Sequence, residues 1–211
     1  MAGTYTKKEV NTLKQSVRKK SRDWIFIKRE LKHYKKPISI AELGCGTGAI
    51  AILSKTLPNI KQYHAIDGSK EVLKFVEIEK IPYVKTKLLD LETAKLPKVD
   101  ISIAKYLFHH IKNKNHLIDE LYKQLPIKGK VIIIDKFPRW KCSILIEKLF
   151  HILQIKIVLG EHFYSTEKEF EKLMLTKKFK IIKKQVKFGK KFKNFFMKIN
   201  YYVFIKKKKR H

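Results

Sequence analysis

The chain is poor in acids. Its 211 residues hold 19 Asp and Glu against 49 Lys and Arg, a formal net charge of +30. Such a balance suits an anionic partner, either an RNA backbone or an anionic membrane surface, or it reflects a lysine-biased composition. Arginine is scarce within that excess, five of the 49, although Arg is the preferred residue for bidentate phosphate recognition. Cysteine is scarce too. Cys45 and Cys142 offer neither a disulfide framework nor a metal-ligand spacing, which predicts a reducing, cytoplasmic setting. Long apolar runs are missing. The most apolar stretch, Cys142 to Leu159, is broken by Glu147, Lys148, His151, Gln154 and Lys156, so it reads as an amphipathic or buried helix and not a membrane span. The start, MAGTYTKKEV, lacks an apolar signal core, and no internal repeat is visible.

What is present is unevenly spread. Residues 1–36 carry 12 basic and 3 acidic side chains, and residues 167–211 carry 17 and 3, while the longer middle carries 20 and 13. The length suits one α/β domain with appendages. Residues 6–36 are predicted helical, with Trp24, Ile25, Ile27 and Leu31 as one apolar face and Pro37 as the stop. Short apolar runs then alternate with amphipathic ones. Strands are predicted at 38–43, 63–67, 83–90, 99–107 and 129–137. Helices are predicted at 49–57, 69–80 and 114–125, with Ser69 as an N-cap. This alternation implies a parallel sheet covered on both faces. Further on, helices are predicted at 143–155 and 165–178, the second opening on a capping-box-like stretch from Ser165 to Lys168 and Glu169. Runs 179–188 and 195–206 then read as two strands paired antiparallel.

The stretch AELGCGTGAIA, residues 41–51, concentrates three of the eight glycines. A glycine-rich turn between a first strand and its helix lets backbone approach a ligand, and the helix N-terminus behind it offers free N–H groups. Gly44 to Ala49 matches the G-x-G-x-x-A pattern, a weak signal by itself. Its setting sharpens it. Glu42 precedes the loop, and Asp67 ends the second predicted strand, where a carboxylate can accept from both ribose hydroxyls. Asp90 ends the third. A second mononucleotide-binding half, expected of a NAD-linked oxidoreductase, does not follow.

In order and spacing, AELGCGTG, AIDGS, LLDLE, DISIAKYLFHHI and KGKVIIID resemble the successive motifs of class I S-adenosylmethionine-dependent methyltransferases, over residues 38–206. The resemblance implies a Rossmann-like seven-stranded, mostly parallel sheet of order 3-2-1-4-5-7-6 with its last strand antiparallel. It makes residues 1–36 an N-terminal helical extension and residues 37–211 the methyltransferase domain, with a helical insertion at about 138–165. It also implies site roles. Glu42 orients the loop and the amino-acid end of S-adenosylmethionine. Gly44, Cys45, Gly46 and Gly48 border the methionine portion. Asp67 holds the ribose, with Gly68 and Ser69 beside it. Asp90 receives the adenine amino group, with Leu91 donating backbone N–H to the ring. Ala104, Lys105 and Tyr106 face the methyl and the acceptor.

Methyl transfer from a sulfonium is an in-line displacement that needs alignment more than an elaborate catalyst. His109 and His110 are the candidates for a general base. With His116 they match no zinc spacing and no cysteine accompanies them, so no metal is expected. Cys45 reads as a small loop residue and not a nucleophile. The position after the fourth strand, Ala104-Lys105-Tyr106-Leu107, lacks the Asn/Asp-Pro-Pro-aromatic motif of exocyclic amine and glutamine methylation. Cys142 lies too far past Asp135 for cytosine C5 chemistry, and Asp135 alone is no acidic metal cluster. The acceptor expected is therefore a small molecule, and the apolar character of the insertion at about 138–165 hints at a hydrophobic one. An RNA acceptor using the basic termini is the alternative, and a ligand-binding module without turnover the non-enzymatic one.

Overall fold

The protein is described by a computed structural model covering residues 21–57, 59–139, 163–188 and 197–208. Residues 1–20 and most of the expected 138–165 insertion, with the helix expected at 143–155, lie outside the described residues.

The described elements, in chain order, are α1 (Arg22–Leu31), β1 (Ile38–Leu43), α2 (Ala49–Leu53), β2 (Ile60–Asp67), α3 (Lys70–Ile78), β3 (Val84–Leu88), β4 (Ile101–Lys105), α4 (Lys114–Gln124), β5 (Lys130–Pro138), α5 (Glu167–Thr176), β6 (Phe179–Phe188) and β7 (Met197–Lys206). Short 3-10 turns at Ser54–Thr56 and Phe108–His110 follow α2 and β4. The strands form one sheet of order β3-β2-β1-β4-β5-β7-β6. Pairings among β1 to β5 are parallel, and β7 runs antiparallel to both β5 and β6. This is the fold class expected from the sequence.

Side chains alternate across the strands. On one face Leu43, Ile66, Ala104, Ile133 and Tyr202 meet Leu117 and Leu121 of α4 and Phe170 and Met174 of α5. On the other, Ile40, Tyr63, Ile103, Ile134 and Tyr201 meet Trp24 and Ile27 of α1, Ala51 of α2 and Val76 of α3. Hence β1 and β4 are buried almost without a break, as strands covered on both faces must be.

Local readings shifted where tertiary packing outweighed pattern. In α1 the buried residue is Phe26, while Ile25 is 59% exposed. The box before α5 uses Thr166, not Ser165: Thr166 Oγ1 accepts from Glu169 N–H at 3.3 Å and Glu169 Oε2 accepts from Thr166 N–H at 2.8 Å. Ser69 does occupy the N-cap of α3, but its hydroxyl donates to Glu71 Oε2 at 2.7 Å and caps no helical N–H. β3 stops at Leu88, so Asp90 lies in the turn beyond it.

The edge strands explain part of the lysine excess. β3 carries Lys85 and Lys87, and β6 carries Lys180, Lys183, Lys184 and Lys187. Charges there discourage edge-to-edge pairing with another molecule. A bulge between Ile181 and Lys183 breaks the β6 register further.

Candidate active site

Parallel strands deliver their following loops to one edge of the sheet, and a crevice opens where the chain leaves β1 and β4 in opposite directions. The residues singled out in the sequence sit there. Gly44, Gly46 and Gly48 all have positive φ, at 65°, 53° and 76°. The three are not equivalent. A Cβ on Gly44 would lie 2.9 Å from Leu107 Cδ1, and one on Gly48 would lie 2.6 Å from Val76 Cγ2. Those two are small because protein packs against them. At Gly46 a Cβ would meet nothing within 4 Å among the described residues, so that backbone faces open space. Behind the loop, α2 spans five residues only before passing into the 3-10 turn, shorter than the helix expected over 49–57.

Asp67 braces the loop. Its Oδ2 accepts from Gly46 N–H at 2.8 Å and its Oδ1 from Ser69 N–H at 3.0 Å, tying the β1–α2 turn to the β2–α3 turn. Burial raises its pKa, and the backbone N–H groups of Gly46, Ser69 and Gly68 counteract part of that rise. Cys45 N–H donates to Ile66 O at 2.9 Å. Its thiol is buried, and that burial pushes the pKa well up, the reverse of what a nucleophile needs.

Glu42 is buried at the end of β1 and accepts from Tyr63 Oη at 2.7 Å. Burial lifts its pKa to about 7. The Tyr63 hydrogen bond and the charge of Lys105 lower it, and Asp67 raises it. At neutral pH this carboxyl is thus poised between its two states, with strong preference for any cation brought alongside.

The remaining residues differ in placement. Asp90 is exposed, its Oδ1 accepting from Glu92 N–H at 3.0 Å within its own turn, while Leu91 is buried in the core. Ala104 is buried at the end of β4, and Lys105 follows it. Tyr106 adopts φ 53°, uncommon for a bulky residue, while its N–H still bonds Ile134 O at 2.7 Å.

His109 and His110 occupy the 3-10 turn after β4, their rings 4.1 Å apart. His109 is 4% exposed, and its Nδ1 is hydrogen-bonded to Oδ1 of Asp135, which is 1% exposed on β5. The same Oδ1 accepts from Lys136 N–H at 2.6 Å, leaving Oδ2 buried without a partner among the described residues. Tyr164 stacks on the His109 ring with the planes 4° apart, and Phe163 N–H donates to His109 O at 2.7 Å. His116 is elsewhere, on α4, contacting Ala94 O at 3.3 Å. Among the described residues no three His, Cys, Asp or Glu side chains converge as a metal site. Tyr63 and Asp135 escaped the sequence reading as site residues, since nothing local marks a contact between chain-distant positions. A shallow cavity of about 390 Å³ lies at the opposite sheet edge, lined by Ser39, Asp100 and Gln124 among others, away from these loops.

Residues 41–133 match the sequence model of the methyltransferase domain family. The sheet order is that of the class I S-adenosylmethionine-dependent methyltransferase fold, and the methyltransferase-domain match lies within it. The matched segment runs from the glycine loop through β4 and both histidines into β5. No curated protein sequence matches the chain. Solved structures share the fold at low identity. A Mesorhizobium loti S-adenosylmethionine-dependent methyltransferase is 12% identical with TM-score 0.69, the match covering 89% of this chain and 99% of that one. A Methanosarcina mazei methyltransferase is 16% identical with TM-score 0.65, covering 84% and 96%. Phosphoethanolamine N-methyltransferase 2 of Haemonchus contortus, solved with S-adenosyl-L-methionine, is 16% identical with TM-score 0.68, covering 89% and 52%. Among the described residues no helix is long and apolar enough to cross a membrane.

Proposed function

We propose that this domain transfers the methyl of S-adenosylmethionine to a small-molecule acceptor. The observation that carries the reading is the asymmetry of the glycine loop: Gly44 and Gly48 abut protein, while Gly46 faces open space among the described residues with its N–H on the Asp67 carboxylate. S-adenosylmethionine supplies a methyl already activated on a sulfonium sulfur. The residues fit it. Glu42, buried at the end of β1, accepts hydrogen bonds from the ligand's ammonium. Gly44, Cys45, Gly46 and Gly48 border the methionine portion. Asp67 uses its remaining lone pairs on the ribose, with Gly68 and Ser69 beside it. Asp90 and Leu91 flank the adenine. Ala104, Lys105 and Tyr106 line the approach of the acceptor.

The chain contributes alignment, exclusion of water and one proton transfer. His109 is the base. Asp135 holds its Nδ1–H and so fixes the tautomer that leaves Nε2 as the basic nitrogen. Asp135 is the positioning residue in this arrangement, and Tyr164 fixes the ring plane. His110, in ring contact, is the second imidazole able to pass the proton outward.

The test is incubation with methyl-labelled S-adenosylmethionine and a fractionated cell extract. Label in the small-molecule fraction is the expected result. Label in the RNA fraction would replace the acceptor class. No label anywhere, with no calorimetric binding of S-adenosylhomocysteine, would refute the activity.

A further inference from the structure

Two lysines at the site edge form no close ion pair among the described residues, although the charge of Lys105 is felt by Glu42. Lys105 ends β4, and Lys136 lies near the end of β5. Ile134 is the β5 partner of Lys105, so Lys136 lies two residues further along and projects on the same face of the sheet. Both ammonium groups approach one ring: Lys105 Nζ is 4.9 Å and Lys136 Nζ 5.8 Å from the centroid of Tyr106. Both side chains are half-buried. Among the described residues neither lies within ion-pair distance of a carboxylate. Two carboxylates lie on this face: Asp23 accepts from Tyr201 Oη at 2.8 Å and also interacts with Tyr106, and Glu42 accepts from Tyr63 Oη at 2.7 Å and interacts with Lys105.

Two like charges drawn toward one ring repel each other and lose part of their hydration. The left-handed backbone at Tyr106, the residue whose ring both ammonium groups approach, adds strain. Side chains on a free surface would spread apart. Strained backbone and two like charges held together at a ligand crevice, neither in a close ion pair, are the marks of a binding element whose partner is a ligand.

We infer that Lys105 and Lys136, both held near the Tyr106 ring, form a two-cation clamp that takes a carboxylate or phosphate group of a ligand in the site. The anion belongs either to the amino-acid end of the cofactor or to the methyl acceptor. With Glu42 on the same sheet face, the first source makes a zwitterion cradle, ammonium to Glu42 and carboxylate to the lysines. The second makes the acceptor an anionic small molecule. The inference rests on the methyltransferase reading for its ligands, not for the clamp itself.

Lys105→Met, Lys136→Met and the double variant keep the aliphatic stems and remove the charges. Calorimetry with three probes separates the sources: S-adenosylhomocysteine, methylthioadenosine, which lacks the amino-acid end, and inorganic phosphate. Loss of about 10-fold per lysine in affinity for S-adenosylhomocysteine, with methylthioadenosine unchanged, assigns the clamp to the cofactor carboxylate. Unchanged affinity for both nucleosides, with phosphate binding lost, assigns it to the acceptor. The clamp is overturned if no probe is affected, or if both nucleosides weaken equally. If the wild type binds neither nucleoside yet binds phosphate through these lysines, the cofactor reading fails and the clamp survives.

Discussion

The substitution Glu42→Gln should stabilise the free protein and weaken its ligand binding. The carboxyl is fully buried, and its pKa rises from an ordinary 4.5 to about 7. A carboxyl with a raised folded pKa gives its full stability below 4.5, and that contribution is lost as pH climbs through 7. At 1.36 kcal/mol per unit, the whole shift is worth about 3 kcal/mol. The amide of the variant is never ionised, so the variant should exceed the wild type by about 1 kcal/mol at pH 5 and about 3 kcal/mol at pH 8.5. For a chain of this length that is a rise of roughly 6–12 °C in melting temperature at the higher pH. Tyr63 Oη keeps an oxygen acceptor in the variant, so the gain is not offset by a broken hydrogen bond. In return, affinity for S-adenosylhomocysteine should fall about 10- to 100-fold, because the ligand ammonium loses a charge-assisted partner. Urea denaturation at the two pH values and calorimetry at pH 8 give both numbers. A variant less stable than wild type at pH 8.5, or a difference equal at both pH values, would refute the reasoning.

Other outcomes follow from the same geometry. Gly48→Ala places a Cβ in αL backbone 2.6 Å from Val76 Cγ2 and should cost about 2–5 kcal/mol in denaturation. Gly46→Ala meets no neighbour among the described residues and should cost only about 1–2 kcal/mol, yet weaken nucleoside binding. Equal destabilisation by the two would contradict the asymmetry of the loop. Asp135→Asn should lower kcat about 10²-fold with KM little changed and move the pH–rate profile, a change that packing alone would not produce.

Much of the fold was legible because it is local. Alternating apolar strands and amphipathic helices are written in the period of burial, and Pro37 and the turn residues punctuate them. The glycine loop was legible for the same reason: Glu42, the three glycines and Asp67 stand at strand ends that periodicity can locate. Pattern does not separate Ile25 from Phe26, because adjacent apolar residues on a helix lie about 100° apart, and only the sheet beneath decides which is covered.

By itself, then, the amino-acid sequence determined the layers, the strand succession and the family of the loop. Tertiary structure alone decided that Asp67 pins Gly46, that Tyr63 meets Glu42, that Asp135 holds His109 and that Lys105 and Lys136 share one ring. Each of these contacts joins residues on different strands or loops. It depends on strand order and register, which are settled when the sheet closes and not by any run of neighbouring residues.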